Sequence, residues 1–276
     1  MENITIYLLI FVFLCIINKL FHNSYFQEIN PIGSHKIWTY SEDESNQSYF
    51  ETLLLNQLKM NINGIMNDLI ILTPETIPNY LNDFPVNMLD ESIPYQKRIN
   101  LLNSFILEKY GGLCISPGTF PIEIKEILNK LYFHELVTIG SNPNHSQLVD
   151  NHDFPNTNII GAKKETKLIK EYKKKLLQNI NNNQLISYDI LSSLIQDFKP
   201  TQYHFGSLSD GTMDIFKKST NLDDFINSNG PQLDMEKLKA ISLPYEELFK
   251  NTKYKWFLNL SKEQFEESKF FIQRFL

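Results

Sequence analysis

Short apolar runs alternate with longer amphipathic runs along most of this chain. The short runs are rich in isoleucine, leucine and aromatic residues and end at polar residues or proline, which predicts β-strands. They lie at residues 36–40, 68–73, 113–115, 135–139 and 158–162. Runs this apolar are typical of strands that helices cover on both faces of a sheet.

Between the predicted strands, apolar residues recur at the spacing of an amphipathic helix. Helices are predicted at residues 49–58, 77–81, 98–110, 122–131, 165–179, 188–197, 222–226 and 261–275. The last one opens with a capping-box pattern, Ser261-Lys262-Glu263-Gln264. This alternation predicts an α/β fold with one mostly parallel sheet flanked by helices.

The amino terminus carries a long apolar run. Residues 4–21 are interrupted only by Thr5, Asn18 and Lys19, and as a helix they would be ~27 Å long, close to the thickness of a bilayer core. We therefore expect an uncleaved, single-pass membrane anchor whose orientation is open. A cleaved signal peptide is the alternative, although a basic n-region and a small-residue cleavage site are missing. The expected divisions are an anchor at 1–22, a linker at 23–34 and a folded domain at 35–276.

The charge of the chain argues against one class of partner. The 276 residues carry a net charge of −6, which gives no reason to expect nucleic acid binding. The most basic stretch, residues 163–175, follows a helical pattern and reads as a solvated helix face. Cys114 has no histidine near it in sequence, so a small buried apolar residue is expected rather than a nucleophile.

The most informative motif is Tyr110-Gly111-Gly112, which closes the predicted helix at 98–110. Glycines are expected at this position because the residue after a helix often takes a left-handed conformation. The strand that follows leads into Ser116-Pro117-Gly118, and no carboxylate occurs between Glu108 and Glu123. A scaffold motif is therefore present without acidic residues after it.

Together with the strand Ile37-Trp38-Thr39-Tyr40 and the Pro117–Thr119 turn, this motif resembles the glycosyltransferase superfamily with a DXD sugar-binding region. The resemblance is strongest to its capsular-polysaccharide-synthesis-like branch, and it covers roughly residues 35–122. It implies a GT-A-like fold and transfer of a sugar from a nucleotide sugar to a glycan or protein acceptor. It also implies a Mn²⁺ or Mg²⁺ ion held by the carboxylates of an Asp-x-Asp turn.

The family's functional positions hold other residue types here. Counted from Tyr110, the family's helix Asp falls on Asn100 and its helix Arg on Asn103, while the first Asp of the turn falls on Ser116. No metal ligand is identified, so Mn²⁺ or Mg²⁺ would need a replacement ligand set. The aromatic strand residues would either stack a base or sugar or lie buried. The implied substrate-binding residues are Trp38, Tyr40, Asn100, Asn103, Tyr110, Gly111, Gly112 and Ser116.

Two other segments carry candidate chemistry. Asp210, which precedes Gly211, and Asp214 are candidate catalytic carboxylates, and His204 lies close before them. A plain Asp-Gly turn is the alternative. A polar loop offers mixed ligand types for zinc or manganese, or simply faces solvent. Its residues are His145, Asp150, His152 and Asp153.

Two functional classes remain open at this stage. In the first, the protein is a working glycosyltransferase with an altered site that uses Asn100, Ser116, Asp210 or Asp214. In the second, it is a non-catalytic relative that binds a glycan or supports an active partner glycosyltransferase. An open pocket at the Gly112–Thr119 turn into which Asp210 or Asp214 points favours the first class. A turn plugged by Pro117 and Phe120 favours the second.

Overall fold

The computed structural model describes residues 35–42, 47–63, 68–140, 155–180 and 187–276. These ranges belong to one compact unit, His35–Leu276. Within them the chain alternates between strands and helices, as the hydrophobic pattern predicts.

The described residues form a six-stranded sheet and a separate two-stranded sheet. In the large sheet the strand order is β2-β1-β3-β6-β5-β7, and β6 alone runs antiparallel to its neighbours. The prediction of a mostly parallel sheet flanked by helices is therefore confirmed. The small sheet pairs β4 with β8 in antiparallel register. The strands are β1 (Ile37–Tyr40), β2 (Leu69–Leu72), β3 (Gly112–Ile115), β4 (Thr119–Pro121), β5 (Leu136–Thr138), β6 (Ile159–Ala162), β7 (Gln202–His204) and β8 (Ala240–Ser242).

Helices connect these strands and cover the large sheet. Short 3-10 turns at Val86–Leu89, Thr252–Tyr254 and Phe271–Arg274 complete the described secondary structure. The α-helices are α1 (Tyr49–Ile62), α2 (Ile77–Tyr80), α3 (Tyr95–Lys109), α4 (Ile124–Phe133), α5 (Lys167–Ile180), α6 (Ser187–Phe198), α7 (Leu222–Phe225), α8 (Tyr245–Lys250), α9 (Lys255–Leu258) and α10 (Lys262–Glu267).

The apolar strands are buried because successive side chains enter cores on opposite faces of the sheet. Trp38 and Cys114 pack with α3, α5 and α6 in one cluster. Ile37 and Leu113, their neighbours along β1 and β3, pack with α1 and α4 in another. A third core lies under α8, α9 and α10 and is built largely from phenylalanine. Cys114 is fully buried, as the sequence predicts.

Tyr110-Gly111-Gly112 forms a tight joint between α3 and β3. Gly111 and Gly112 have φ angles of +67° and +100°, which side-chain-bearing residues rarely adopt. A Cβ on Gly112 would lie 2.2 Å from the Lys36 carbonyl oxygen. The Trp38 indole donates a hydrogen bond to the Gly111 carbonyl at 3.1 Å, so the motif fixes β3 against β1.

The expectation of a single-pass membrane protein is not supported and is corrected here. Among the described residues, no helix is long and apolar enough to cross a membrane. The helix α3 has 15 residues, whereas a span requires about 20 predominantly apolar ones. The predicted anchor at residues 4–21 and the linker at 23–34 lie outside the described ranges.

The last predicted helix is shorter than the pattern suggests. Its capping box is present at Ser261, but α10 ends at Glu267 and Ser268 is extended. The Ser268 hydroxyl donates to the Phe265 carbonyl, and the chain then turns so that Phe271 enters the core. The aromatic residues after Ser268 therefore pack into the core from a turn and do not continue the helix.

Candidate functional site

The strand order creates a crevice between β1 and β3. After β1 the chain forms β2 on one side and then returns to form β3 on the other side of β1. The connections that follow β1 and β2 therefore leave on opposite sides of the sheet, and the place where this happens is called a switch point. Ligands of open α/β folds bind at a switch point, beyond the carboxyl ends of the strands. Here those ends are Tyr40 and Ile115.

The register divides the predicted substrate residues between two ends of the sheet. Ile37 pairs with Leu113, so Gly112 lies level with Lys36, at the amino end. Tyr110 packs on Trp38 with ring centroids 5.2 Å apart. The residues at the amino end are therefore Trp38, Tyr110, Gly111 and Gly112, whereas Tyr40 and Ser116 lie at the carboxyl end. The structure does not bring these two groups together.

A small cavity occupies the switch point, and we call it the carboxyl-end crevice. Its volume is about 40 Å³, which holds a few water molecules but not a nucleotide sugar. Phe120 is fully buried in a separate core and does not enter it. The crevice is lined by Thr39, Tyr40, Ser41, Gln47, Glu51, Leu54, Leu55, Leu58, Pro117, Gly118, Thr119, Tyr245 and Phe249.

The first turn of α8 covers the crevice. The Tyr245 ring stacks on Tyr95 at a centroid distance of 4.2 Å. The Leu243 amide donates to the Gly118 carbonyl at 3.0 Å, and Glu246 accepts from the Tyr95 amide. Burial raises the pKa of the Tyr245 hydroxyl above its usual value. The segment before and within α8 is thus attached both to the turn after β3 and to the start of α3.

A buried ion pair lies beside this cover. Arg98 is 2% exposed and contacts the Glu42 carboxylate at 2.8 Å. Its guanidinium also donates to the carbonyls of Leu89 at 2.9 Å and Ile93 at 3.1 Å. Burial, and then the Glu42 charge, raise the pKa of Tyr40 to about 12. The sequence analysis does not identify this pair. The available signal was an arginine inside the apolar pattern of α3.

Three predicted residues bury polar atoms that have no hydrogen-bond partner among the described residues. These atoms are Asn100 Nδ2, Asn103 Nδ2 and Ser116 Oγ. The three side chains are 1%, 8% and 3% exposed, respectively. An unsatisfied buried donor or acceptor costs about 1–3 kcal/mol, so each atom is a place where a bound ligand or water would gain a hydrogen bond.

These three residues lie along the β3–α3 contact. Asn103 is level with the middle of β3, since its carbonyl is 4.0 Å from the Cys114 sulfur. The connecting glycines reverse the chain, so α3 runs antiparallel to β3, and Asn100 lies about one helical turn nearer the carboxyl end. Gln96 donates to Asn100 Oδ1 at 3.1 Å, which leaves the Asn100 amide nitrogen free for another group.

The predicted catalytic carboxylates, Asp210 and Asp214, accept hydrogen bonds that stabilise local turns. Asp210 is 1% exposed and accepts hydrogen bonds from Asn156 at 2.8 Å and from the Thr212 hydroxyl at 2.6 Å. Burial raises its pKa to about 6, although these bonds act in the opposite direction. Asp214 accepts from the backbone amides of Phe216 and Lys218. A catalytic role for either residue stays a prediction.

Asp210 is linked to the crevice only indirectly. Its carbonyl accepts from the Ser242 amide at 2.9 Å, and Ser242 pairs with Thr119, which lines the crevice. The His204 ring bonds the Thr138 hydroxyl at 3.0 Å, within the sheet. The Asp210 region therefore supports the small sheet beside the crevice.

The residues after β3 do not fit a Mn²⁺ or Mg²⁺ ion. Such hard cations require several oxygen ligands, usually carboxylates, whereas this turn offers only the Ser116 hydroxyl, Pro117 and Gly118. Throughout the part of the chain that the structure describes, no group of three or more His, Cys, Asp or Glu residues is placed to hold a metal. The other metal candidates, His145, Asp150, His152 and Asp153, lie outside that part.

Comparison of the chain with protein-family models and with curated proteins finds no match.

Proposed function

We propose that the protein is a glycosyltransferase-like protein with a GT-A-like fold that binds a nucleotide sugar at the carboxyl-end crevice without a carboxylate-bound metal. The observation that carries this proposal is the crevice at the switch point between β1 and β3. Ligand sites of α/β sheets lie at such points. Asn100, Asn103 and Ser116, whose buried atoms have no partner among the described residues, do not line the crevice but lie along the adjoining β3–α3 contact. The Trp38 strand and the Tyr-Gly-Gly joint resemble those of sugar-transfer enzymes, and this resemblance suggests a nucleotide sugar as the ligand.

The chemistry of these residues suits hydroxyl groups better than phosphates. A carboxamide both donates and accepts hydrogen bonds, and a serine hydroxyl does the same. Asn100 and Ser116 would therefore bind ribose or sugar hydroxyls of a ligand that reaches past the crevice lining, which contains neither residue. Glu51 lines the crevice, and a carboxylate repels a diphosphate in the absence of a cation. The negative charge of Glu42 is offset by its ion pair with Arg98.

A second candidate function is supported by the size of the crevice. A cavity of about 40 Å³, lined in part by Tyr245, is too small for a nucleotide sugar. Because the residues after β3 also lack carboxylates, a non-catalytic protein that binds a glycan or an active partner glycosyltransferase fits the same geometry. The two candidates differ in whether the crevice opens to a nucleotide sugar.

Thermal-shift and calorimetric titration of the full chain with UDP-, GDP- and CMP-sugars tests the proposal. We expect saturable binding of at least one compound without Mn²⁺. The variant Asn100→Ala should weaken that binding about fivefold to tenfold, the value of one or two hydrogen bonds. The matched control is Asn79→Ala, because Asn79 is exposed on α2 and should leave affinity unchanged.

The same titrations separate the two candidates. Binding that needs Mn²⁺ would mean that a ligand set outside the turn after β3 supplies carboxylates, which contradicts the metal-free part of the proposal. Binding to no nucleotide sugar would overturn the proposal. Binding only to free oligosaccharides would then support the non-catalytic candidate.

A further inference from the structure

A second cavity borders α1 at Gln57 and Asn61, two residues that do not line the carboxyl-end crevice. We call it the C-terminal groove, because it is bounded by α1, by residues 229–235 and by the closing segment 271–275. Its volume is about 780 Å³, within the range of small-molecule sites. It shares no lining residue with the crevice and needs a separate explanation.

The groove has an apolar body that is open to solvent. Met235 and Ile215, which line it, are 62% and 45% exposed. Phe271 and Phe275 form one wall, with ring centroids 5.5 Å apart. Exposed apolar side chains that converge on one concavity are typical of ligand sites rather than of random surface.

The polar groups of the groove favour a particular ligand charge. Arg274 is the one charged side chain among the described residues that line it. The Arg274 guanidinium lies over the Phe271 ring at 4.8 Å, which holds it beside the apolar wall. A single cation beside an apolar surface complements a single negative charge on an apolar ligand.

We propose that the C-terminal groove binds an amphiphilic anion, an apolar chain or ring that carries one carboxylate or phosphate group. The apolar part packs on Met235, Ile215 and the phenylalanine wall, and the anionic group pairs with Arg274. Apolar burial supplies most of the affinity, and Arg274 supplies the preference for an anion. This site is independent of the nucleotide-sugar proposal and would stand if that proposal failed.

Calorimetric titration of the full chain with octanoate, octyl phosphate and 1-octanol tests the proposal. The three probes share one apolar chain and differ in the head group. We expect one saturable site, with both anions bound more tightly than the neutral alcohol. The order of the two anions identifies the head group, and either order supports the proposal.

Variants assign the binding to this groove. Arg274→Gln should weaken binding of the anions about fivefold, as expected for a partly exposed ion pair, and leave 1-octanol unchanged. Met235→Glu should weaken all three probes, and the anions most. Lys170→Gln, at an exposed cation on α5, is the matched control and should change nothing.

Three results would overturn the proposal. One is 1-octanol binding as tightly as the anions, which would remove the role of charge. Another is Arg274→Gln behaving like Lys170→Gln. The third is the absence of saturable binding of any probe to a chain whose melting transition is intact.

Discussion

Replacing Gly112 by alanine is the most direct test of how the Tyr-Gly-Gly joint works. Gly112 has a φ of +100°, and an added Cβ would lie 2.2 Å from the Lys36 carbonyl oxygen. Gly206 is a matched control, because its φ is +87° and a Cβ there would meet no atom within 4 Å. Comparing Gly112→Ala with Gly206→Ala therefore separates the backbone conformation from the clash.

The magnitudes follow from the contacts. The positive φ costs about 1 kcal/mol for alanine at either position. At Gly112 the Lys36 carbonyl must also retreat by about 0.8 Å to reach the 3.0 Å limit of real contacts. That carbonyl accepts a hydrogen bond from the Leu113 amide at 3.0 Å, and the bond, worth about 1 kcal/mol, would be lost. Displacing β1, which pairs with two strands, adds to this, so we expect a total of about 3–4 kcal/mol.

Urea and thermal denaturation of the full chain, followed by circular dichroism, measure the difference. Gly112→Ala should lower the melting temperature by about 10 °C, and Gly206→Ala by only a few degrees. Equal destabilisation by the two variants would refute the reasoning, because only Gly112 approaches a backbone carbonyl closely. It would mean that the amino ends of β1 and β3 are not packed as described.

Buried polar groups give three further expectations. Arg98→Met should lower the free energy of unfolding in urea by about 3 kcal/mol, because Glu42 and two carbonyls lose their partner. Lys262→Met should cost close to nothing, since its ion pair is exposed. Burial raises the pKa of Asp210 from 3.8 to about 6, so the folded state binds this proton more tightly than the unfolded state. The contribution of Asp210 to the free energy of unfolding should therefore fall by about 3 kcal/mol as the pH rises from about 4 to about 6. The variant Asp210→Asn should remove this pH dependence. Burial also raises the pKa of the Cys114 thiol well above its usual value, so iodoacetamide should label Cys114 only as fast as the native chain unfolds, measured by peptide mass spectrometry.

Each of these expectations has a clear contrary result. Equal effects of the Arg98 and Lys262 variants would mean that the Arg98 pair is solvated. A pH profile that Asp210→Asn leaves unchanged would assign the dependence to other groups. Fast labelling of Cys114 in the folded chain would show that the β3–α3 contact opens locally.

Much of the fold was predictable because its central strands are continuous apolar runs. Residues 36–40 and 158–162 were assigned as strands, and they correspond to β1 and β6. The strands that the pattern missed, β4, β7 and β8, have three residues each and include polar residues or proline. β5 is equally short but was predicted because it lies in the apolar run at residues 135–139. The positions of the three missed strands are set by tertiary contacts, such as the pairing of Thr119 with Ser242, which a local pattern does not contain.

The candidate site was predictable only in part, for a related reason. Asn100 and Ser116 were identified by counting along one segment, and the structure places both along the β3–α3 contact. Tyr245 lies far away in sequence, and nothing local marks it as the cover of the crevice. The burial of Arg98 was not predicted, because its carboxylate partner, Glu42, comes from a different segment of the chain.

The Tyr-Gly-Gly motif lies at the end of the sheet opposite the crevice, and this limits what can be inferred about function from it. Gly111 and Gly112 act through backbone conformation and the close approach of Lys36, at the end of β1 and β3 opposite the crevice. A chain with this arrangement of strands would need these glycines whether or not it carried out any reaction, so the motif indicates an architecture and not a chemistry. The proposed ligand chemistry depends instead on Asn100 Nδ2 and Ser116 Oγ, which are neutral and have no hydrogen-bond partner among the described residues. On the proposed function, neutral donors and acceptors of this kind would select a ligand by the geometry of its hydroxyl groups.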